Sequence, residues 1–257
     1  GDPYYDGNGG LILDQGRAYV YYGSQVGLNA TPLIIESDQA GAMMGYSVAG
    51  VGDVNNDGFA DIAIGAPSYD NAFTHEGRVV IYYGSANGVS FNNAWVNDGG
   101  QAGANYGNSI AAAGDVNRDG ISDVIIGAYL YDNGESDEGR AMIYYGTNSG
   151  LSATAGWTQE GNQNGSYYGY AVGTAGDING DGYSDVLVSA IWYDSTFSNE
   201  GRVFEYNGSA SGASVNPSWV SNGGQDAAEF GHSVSAVGDI NGDGYGDVII
   251  GMPLYDN

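Results

Sequence analysis

The chain has 257 residues, 46 of them glycine and 12% aromatic, and sets 31 acidic side chains against five arginines with no lysine. That length buries a sizeable core and suits one large domain or two small ones, and the aromatic content separates it from low-complexity disorder. A net charge of −26 excludes nucleic acid and anionic membrane surfaces as partners and favours cations, while the absence of cysteine excludes disulfides and thiol chemistry.

The elements repeat. The opening GDPYYD (1–6) matches the closing GMPLYD (251–256), so the chain opens inside a unit, ahead of a strand that starts at Arg17. The first full unit shows the pattern. Tyr46–Val51 is an apolar strand poor in bulk, followed by an Asp-rich loop from Asp53 to Asp61. Asp61–Ala66 is a β-branched strand, Tyr69–Gly77 a polar loop, Arg78–Tyr83 a third strand, and Ala94–Asn97 a short fourth. The stretch beginning GDVNNDG at Gly52 returns at Gly114, Gly176 and Gly238, each 62 residues after the last. A fixed period of four strands joined by Gly, Asn and Asp turns, with no helical periodicity, predicts antiparallel meanders repeated as the blades of a β-propeller.

We therefore expect an all-β fold: one propeller domain over residues 1–257, with units at 45–106, 107–168 and 169–230 and partial units at 1–44 and 231–257. Strands 3 and 4 from the start and 1 and 2 from the end add up to one composite blade, for four in all. The duplicated GxPxYD motif is not required by such a closure, so membership of a larger ring stays open. Small residues at Ala49-Gly50, Ala111–Ala113, Gly173–Ala175 and Ser235-Ala236 place each first strand at the crowded axis. Trp95, Trp157 and Trp219 recur with the period and read as packing between blades.

The Asp-rich loops carry the chemistry. Oxygen side chains stand at positions 1, 3, 5 and 9, a backbone carbonyl is available at 7, and glycine at 6 permits the sharp turn. Hard oxygen donors at this spacing suit Ca²⁺. The sets are Asp53, Asn55, Asp57, Phe59, Asp61; Asp115, Asn117, Asp119, Ile121, Asp123; Asp177, Asn179, Asp181, Tyr183, Asp185; and Asp239, Asn241, Asp243, Tyr245, Asp247. Metal-free Asx turns are the plain alternative, but three carboxylates within nine positions repel one another without a cation. Four Ca²⁺ sites are expected.

The sequence resembles the FG-GAP repeats of integrin α-subunit propellers. The first motif is Phe230-Gly231, with Met44-Gly45, Tyr106-Gly107 and Tyr168-Gly169 in its place elsewhere; the second is Gly65-Ala66-Pro67, Gly251-Met252-Pro253 and the weaker Gly127-Ala128-Tyr129 and Ser189-Ala190-Ile191. Proteins of this kind usually have seven blades. The resemblance implies a calcium-stabilised extracellular or cell-surface module for recognition or adhesion, its partner a protein or a glycan. The alternative is a structural subunit of a surface layer or filament that self-associates.

Metal loops fall on one face. The loops of the other face vary between copies, as binding loops on a rigid scaffold do, and Trp192, Phe197, Phe73 and Tyr167 are the candidate ligand-binding residues. Arg17, Arg78, Arg140 and Arg202 share one repeat position and read as bridges to carboxylates, such as those of the repeated Tyr-Asp pairs. Arg118, inside a metal loop, reads as solvated. Only two histidines exist, His75 and His232, far apart in the repeat; no nucleophile–base pair emerges, and an enzyme is not expected. No apolar run approaches the roughly 20 residues of a membrane helix.

Overall fold

The structure, a computed structural model, describes residues 1–7 and 9–256 and contains strands and turns without a helix. No helix long and apolar enough to cross a membrane is present among them. At the N-terminal end, β1 (Arg17–Val20) pairs with β4 (Leu33–Glu36), and a small hairpin of β2 (Gly23–Ser24) and β3 (Gly27–Leu28) lies between. Three complete sheets follow: β5 (Ser47–Gly52), β6 (Asp61–Ala66), β7 (Arg78–Tyr82) and β8 (Trp95–Asp98); β9 (Ile110–Gly114), β10 (Asp123–Ala128), β11 (Arg140–Tyr144) and β12 (Trp157–Glu160); β13 (Tyr168–Gly176), β14 (Asp185–Ala190), β15 (Arg202–Tyr206) and β16 (Trp219–Asn222). β17 (Ser233–Gly238) and β18 (Asp247–Gly251) form the last, two-stranded sheet. These are four-stranded antiparallel blades, and the expected strands are present to within a residue or two.

The inner strands β5, β9, β13 and β17 line one narrow channel of ≈ 250 Å³, walled by Ala49, Gly50, Ala111, Ala112, Gly173 and Ala236 among others. Small side chains face the axis because nothing larger fits there. Bulk lies between blades: Val79, Ile81 and Tyr106 pack with Val124 and Ile126, and Ile125, Ile143 and Trp157 with Val186 and Tyr206.

The two glycine motifs have a shared cause. A Cβ on Gly65 would stand 2.2 Å from the carbonyl oxygen of Gly107, and one on Gly127 would stand 2.0 Å from that of Gly169. The middle of each second strand thus meets the next blade's first motif backbone to backbone. Amides reinforce the seam: Tyr106 N donates to Glu76 O (3.1 Å), Tyr168 N to Glu138 O (3.0 Å) and Phe230 N to Glu200 O (3.0 Å).

The composite blade is supplied by both ends of the chain. Its four strands exist as two halves, but among the described residues no backbone pairing joins β18 to β1. The reason lies in the duplicated motif. Asp2 already occupies the place beside β1, its N–H donating to Arg17 O at 2.8 Å and its carbonyl accepting from Arg17 N at 3.0 Å. The end of β18 would need that same place.

Candidate functional site

Each Asp-rich loop begins at a register shift in the first strand, at Gly50/Gly52, Ala112/Gly114, Thr174/Gly176 and Ala236/Gly238. The chain then turns through position 6, where Gly58, Gly120, Gly182 and Gly244 have φ of 90°, 87°, 89° and 93°, a region closed to most L-residues. The first carboxylate organises the turn. Asp53 Oδ1 accepts from Asp57 N (3.1 Å) and its Oδ2 from Gly58 N (2.8 Å), while Asp57 Oδ1 accepts from Phe59 N (3.0 Å). Asp115, Asp177 and Asp239 repeat these bonds.

The ninth position joins the loop to the sheet. Asp61, Asp123 and Asp185 are buried. Asp61 Oδ2 accepts from Val54 N (2.9 Å) and its Oδ1 from Gly84 N (2.7 Å), just past the end of β7. Burial pushes all three carboxyls up against the pull of these amides, and the charges at positions 5 and 1 add to the rise; Asp123 is pushed up to about 7. At the fully exposed Asp239 the amides of Gly244 and its neighbours lower the pKa instead. Among the described residues no three Asp, Glu, His or Cys side chains are gathered tightly enough to hold a metal by themselves. The donor set counts Asn oxygens and a carbonyl as well. Three mutually repelling carboxylates, with oxygen donors only, fit a hard divalent cation.

Successive metal loops are tied together. Ser122 N donates to Asp53 O (3.1 Å), Ser184 N to Asp115 O (3.0 Å) and Gly246 N to Asp177 O (2.9 Å). Arg118 is exposed to solvent, as expected, and also makes a contact across loops. Its guanidinium lies 5.6 Å from the Tyr183 ring centroid and donates to Asp181 O at 3.3 Å, reaching the next metal loop.

On the opposite face a buried glutamate holds each loop between strands 2 and 3. Glu76 Oε1 accepts from Asn71, Ala72 and Phe73 N–H (3.0, 2.6 and 3.0 Å), and its Oε2 from Gly100 N (3.0 Å); Glu138 and Glu200 repeat the role. The arginines are architectural, but their partner differs from the expected one. The guanidinium of Arg78 lies 3.9 Å over Tyr69, the tyrosine of the Tyr-Asp pair, and binds the strand-4 carboxylate Asp98 (2.6 and 2.9 Å). Arg140 does likewise with Tyr131 and Glu160. A glutamine then clasps the neighbouring loop by both ends of its amide: Gln101 Nε2 donates to Asp132 O and its Oε1 accepts from Asp132 N, each at 2.7 Å.

Aromatic side chains gather at the channel mouth on this face. Tyr167 and Trp192, two of the expected ligand-binding residues, stack at 4.3 Å and 26°. Phe73 and Phe197 stand apart on their own loops, exposed, in no aromatic pair among the described residues. Residues the sequence reading missed complete the cluster. Tyr129 meets Tyr167 and Tyr170 edge-on at 5.3 and 5.6 Å, and Tyr170 meets His232 at 5.3 Å. The residue after each FG-type pair, namely Tyr46, Asn108, Tyr170 and His232, lines a cup of ≈ 260 Å³. Their shared repeat position was the available signal.

Fold and loops define a β-propeller with Asp-rich turns on one face. FG-GAP repeat models match residues 44–82 and 106–144, and an FG-GAP-like repeat model matches 177–250. The chain belongs to the integrin α-like FG-GAP repeat family. It is 30% identical to integrin alpha-4 of Xenopus laevis over 96% of its length and 34% identical to integrin alpha-V of Gallus gallus over 81%. It spans 24% and 20% of the lengths of those two proteins, and other integrin α relatives are covered down to 13%.

Proposed function

We propose that the chain is a calcium-stabilised extracellular recognition or adhesion module that binds a protein or glycan through the loops opposite the metal loops. One observation carries this reading: four oxygen-rich loops with the same hydrogen bonds crowd one face of a rigid propeller, leaving the divergent loops free on the other. Asp53, Asn55, Asp57 and Asp61, the Phe59 carbonyl, and their counterparts in the other three loops hold the ions. Bound calcium neutralises the carboxylate repulsion and fixes the loops. Among the described residues His232 has Tyr170 and Glu229 as its side-chain partners, neither of them a nucleophile–base arrangement. A second reading, a structural subunit that assembles with its own copies, is favoured by the edges that β18, and β1 beyond the Asp2–Arg17 bridge, leave without a strand partner among the described residues.

Calorimetric titration of chelated protein with CaCl₂ tests the first reading. Four ions per chain are expected, and Asp119→Asn should remove one. Fewer than three ions, or a stoichiometry indifferent to Asp119→Asn, would refute it.

A further inference from the structure

We infer that the axial cup is a subsite for one neutral sugar ring. The inference rests on the reading that this face is the recognition face, and it names the ligand there. At ≈ 260 Å³ the cup is smaller than the roughly 300–1,000 Å³ that drug-sized ligands use, which suits a single pyranose.

The walls select the chemistry. Tyr46, 49% exposed, is in none of the ring pairs among the described residues, so its ring face is free to stack. Tyr170 is fixed opposite, its edge against Tyr129 and its hydroxyl 3.4 Å from His232 Nε2. Asn108 lines the cup with its Nδ2 committed to Tyr170 O (2.9 Å), while its Oδ1 is buried beside Gly127 and closed to a ligand in the cup. The polar side chains left to a ligand are the phenols and the imidazole of the lining, Tyr46, Tyr129, Tyr170 and His232.

The excluded ligands follow from the same walls. The lining carries no carboxylate, lysine or arginine. The nearest acid, Glu229, already accepts from Trp192 Nε1 at 3.2 Å and lies 4.0 Å from His232 Nε2. An anion would meet a chain of net charge −26 with only His232 in its favour. A cation would find ring faces but no counter-charge. A wholly apolar ligand would leave the phenols and the imidazole unsatisfied. An uncharged ring with one apolar face and several hydroxyl groups meets every wall: it stacks on Tyr46 and exchanges hydrogen bonds with the phenols and His232.

The test is ligand-observed NMR on the whole 257-residue chain in millimolar calcium. The probes are methyl glycosides of glucose, galactose, mannose, fucose, N-acetylglucosamine and N-acetylgalactosamine, with methylguanidinium and butylammonium as cationic controls. At least one sugar should bind with a Kd on the order of 1 mM, the strength that ligand-efficiency bounds give a single ring. Tyr46→Ala should weaken it at least tenfold, Tyr46→Phe less than threefold, and Val215→Ala, on a distant exposed turn, not at all. No binding by any of the six sugars, binding indifferent to Tyr46→Ala, or a cation that binds the cup more tightly than every sugar would overturn the proposal. Melting temperatures with and without calcium, taken on the same samples, separate the two readings. Stabilisation by calcium with no sugar bound sinks the subsite and leaves the calcium-stabilised module standing. No response to calcium sinks the module reading itself.

Discussion

Glu205 breaks the pattern of its strand. It occupies the place of Ile81 and Ile143 and is 2% exposed, with Oε1 unpartnered in the structure. It lines a cavity of ≈ 480 Å³ shared with Leu187, Trp219 and Asp247. Burial, and secondarily the charge of Asp185, pushes its carboxyl up to about 7 from an ordinary 4.5. Between those values the folded chain keeps a proton that the unfolded chain releases, so stability falls as pH rises through the window and stays low above it. Glu205→Gln keeps the neutral shape and removes that loss. The variant should melt close to wild type at pH 5 and several degrees higher at pH 8. The comparison isolates Glu205 from Asp123, which is also pushed up to about 7 but is present in both proteins. Equal melting curves at pH 8 would refute the assignment. Arg118 shows the opposite bargain. It sits at φ 58° where two other loops use Gly180 and Gly242, a strained backbone held beside a contact to the neighbouring loop.

Between blades, tryptophan is the joint. Trp95 meets Tyr144 of the next blade edge-on at 4.9 Å and donates to Ser152 O at 3.2 Å; Trp157 repeats this with Tyr206 and Ser214 O, at 4.9 and 2.9 Å. Trp157 is buried, so Trp157→Ala should cost about 3–5 kcal/mol and Trp157→Phe much less, both read by urea denaturation. A loss under about 1 kcal/mol in the alanine variant would mean the blades are joined elsewhere. These joints were legible in the sequence because they recur at one period and demand one residue type. The strands, the metal-loop turns and the glycine motifs were legible for the same reason. The cup was not. Its position after each FG-type pair holds Tyr46, Asn108, Tyr170 and His232, four chemistries with no common side chain, and only convergence on the axis makes them one site. Phe73 and Phe197, aromatic residues on variable loops, stand apart from that site because they lie on separate loops. The partner of the arginines was hidden because strand register, not spacing along the chain, brings Asp98 beside Arg78.

Across the whole molecule, loops that are tied to one another through their backbones also carry carboxylates that oppose folding. Four clusters lie on one face of a chain with net charge −26 and no disulfide, and backbone bonds such as Ser122 N to Asp53 O pass any loosening of one loop to the next. In the proposed reading, bound calcium removes the repulsion at its source. Extracellular sites of this type bind at roughly 10⁻⁴–10⁻³ M, and about tenfold saturation stabilises each by roughly 1.4 kcal/mol. Four sites then contribute about 5–6 kcal/mol, of the order of a domain's entire stability. At about 2–4 °C per kcal/mol for a chain of this size, chelation should lower the melting temperature by about 10–20 °C, and magnesium at the same concentration should restore only part of it because it holds its waters. Light scattering on the same samples distinguishes the two functional readings. A monomer in calcium that loosens in chelator fits a binding module. A calcium-dependent oligomer fits assembly through the edges of β1 and β18. A melting temperature that ignores the chelator would remove calcium from both, and the four loops would then be Asx turns whose carboxylates are balanced by their own amides.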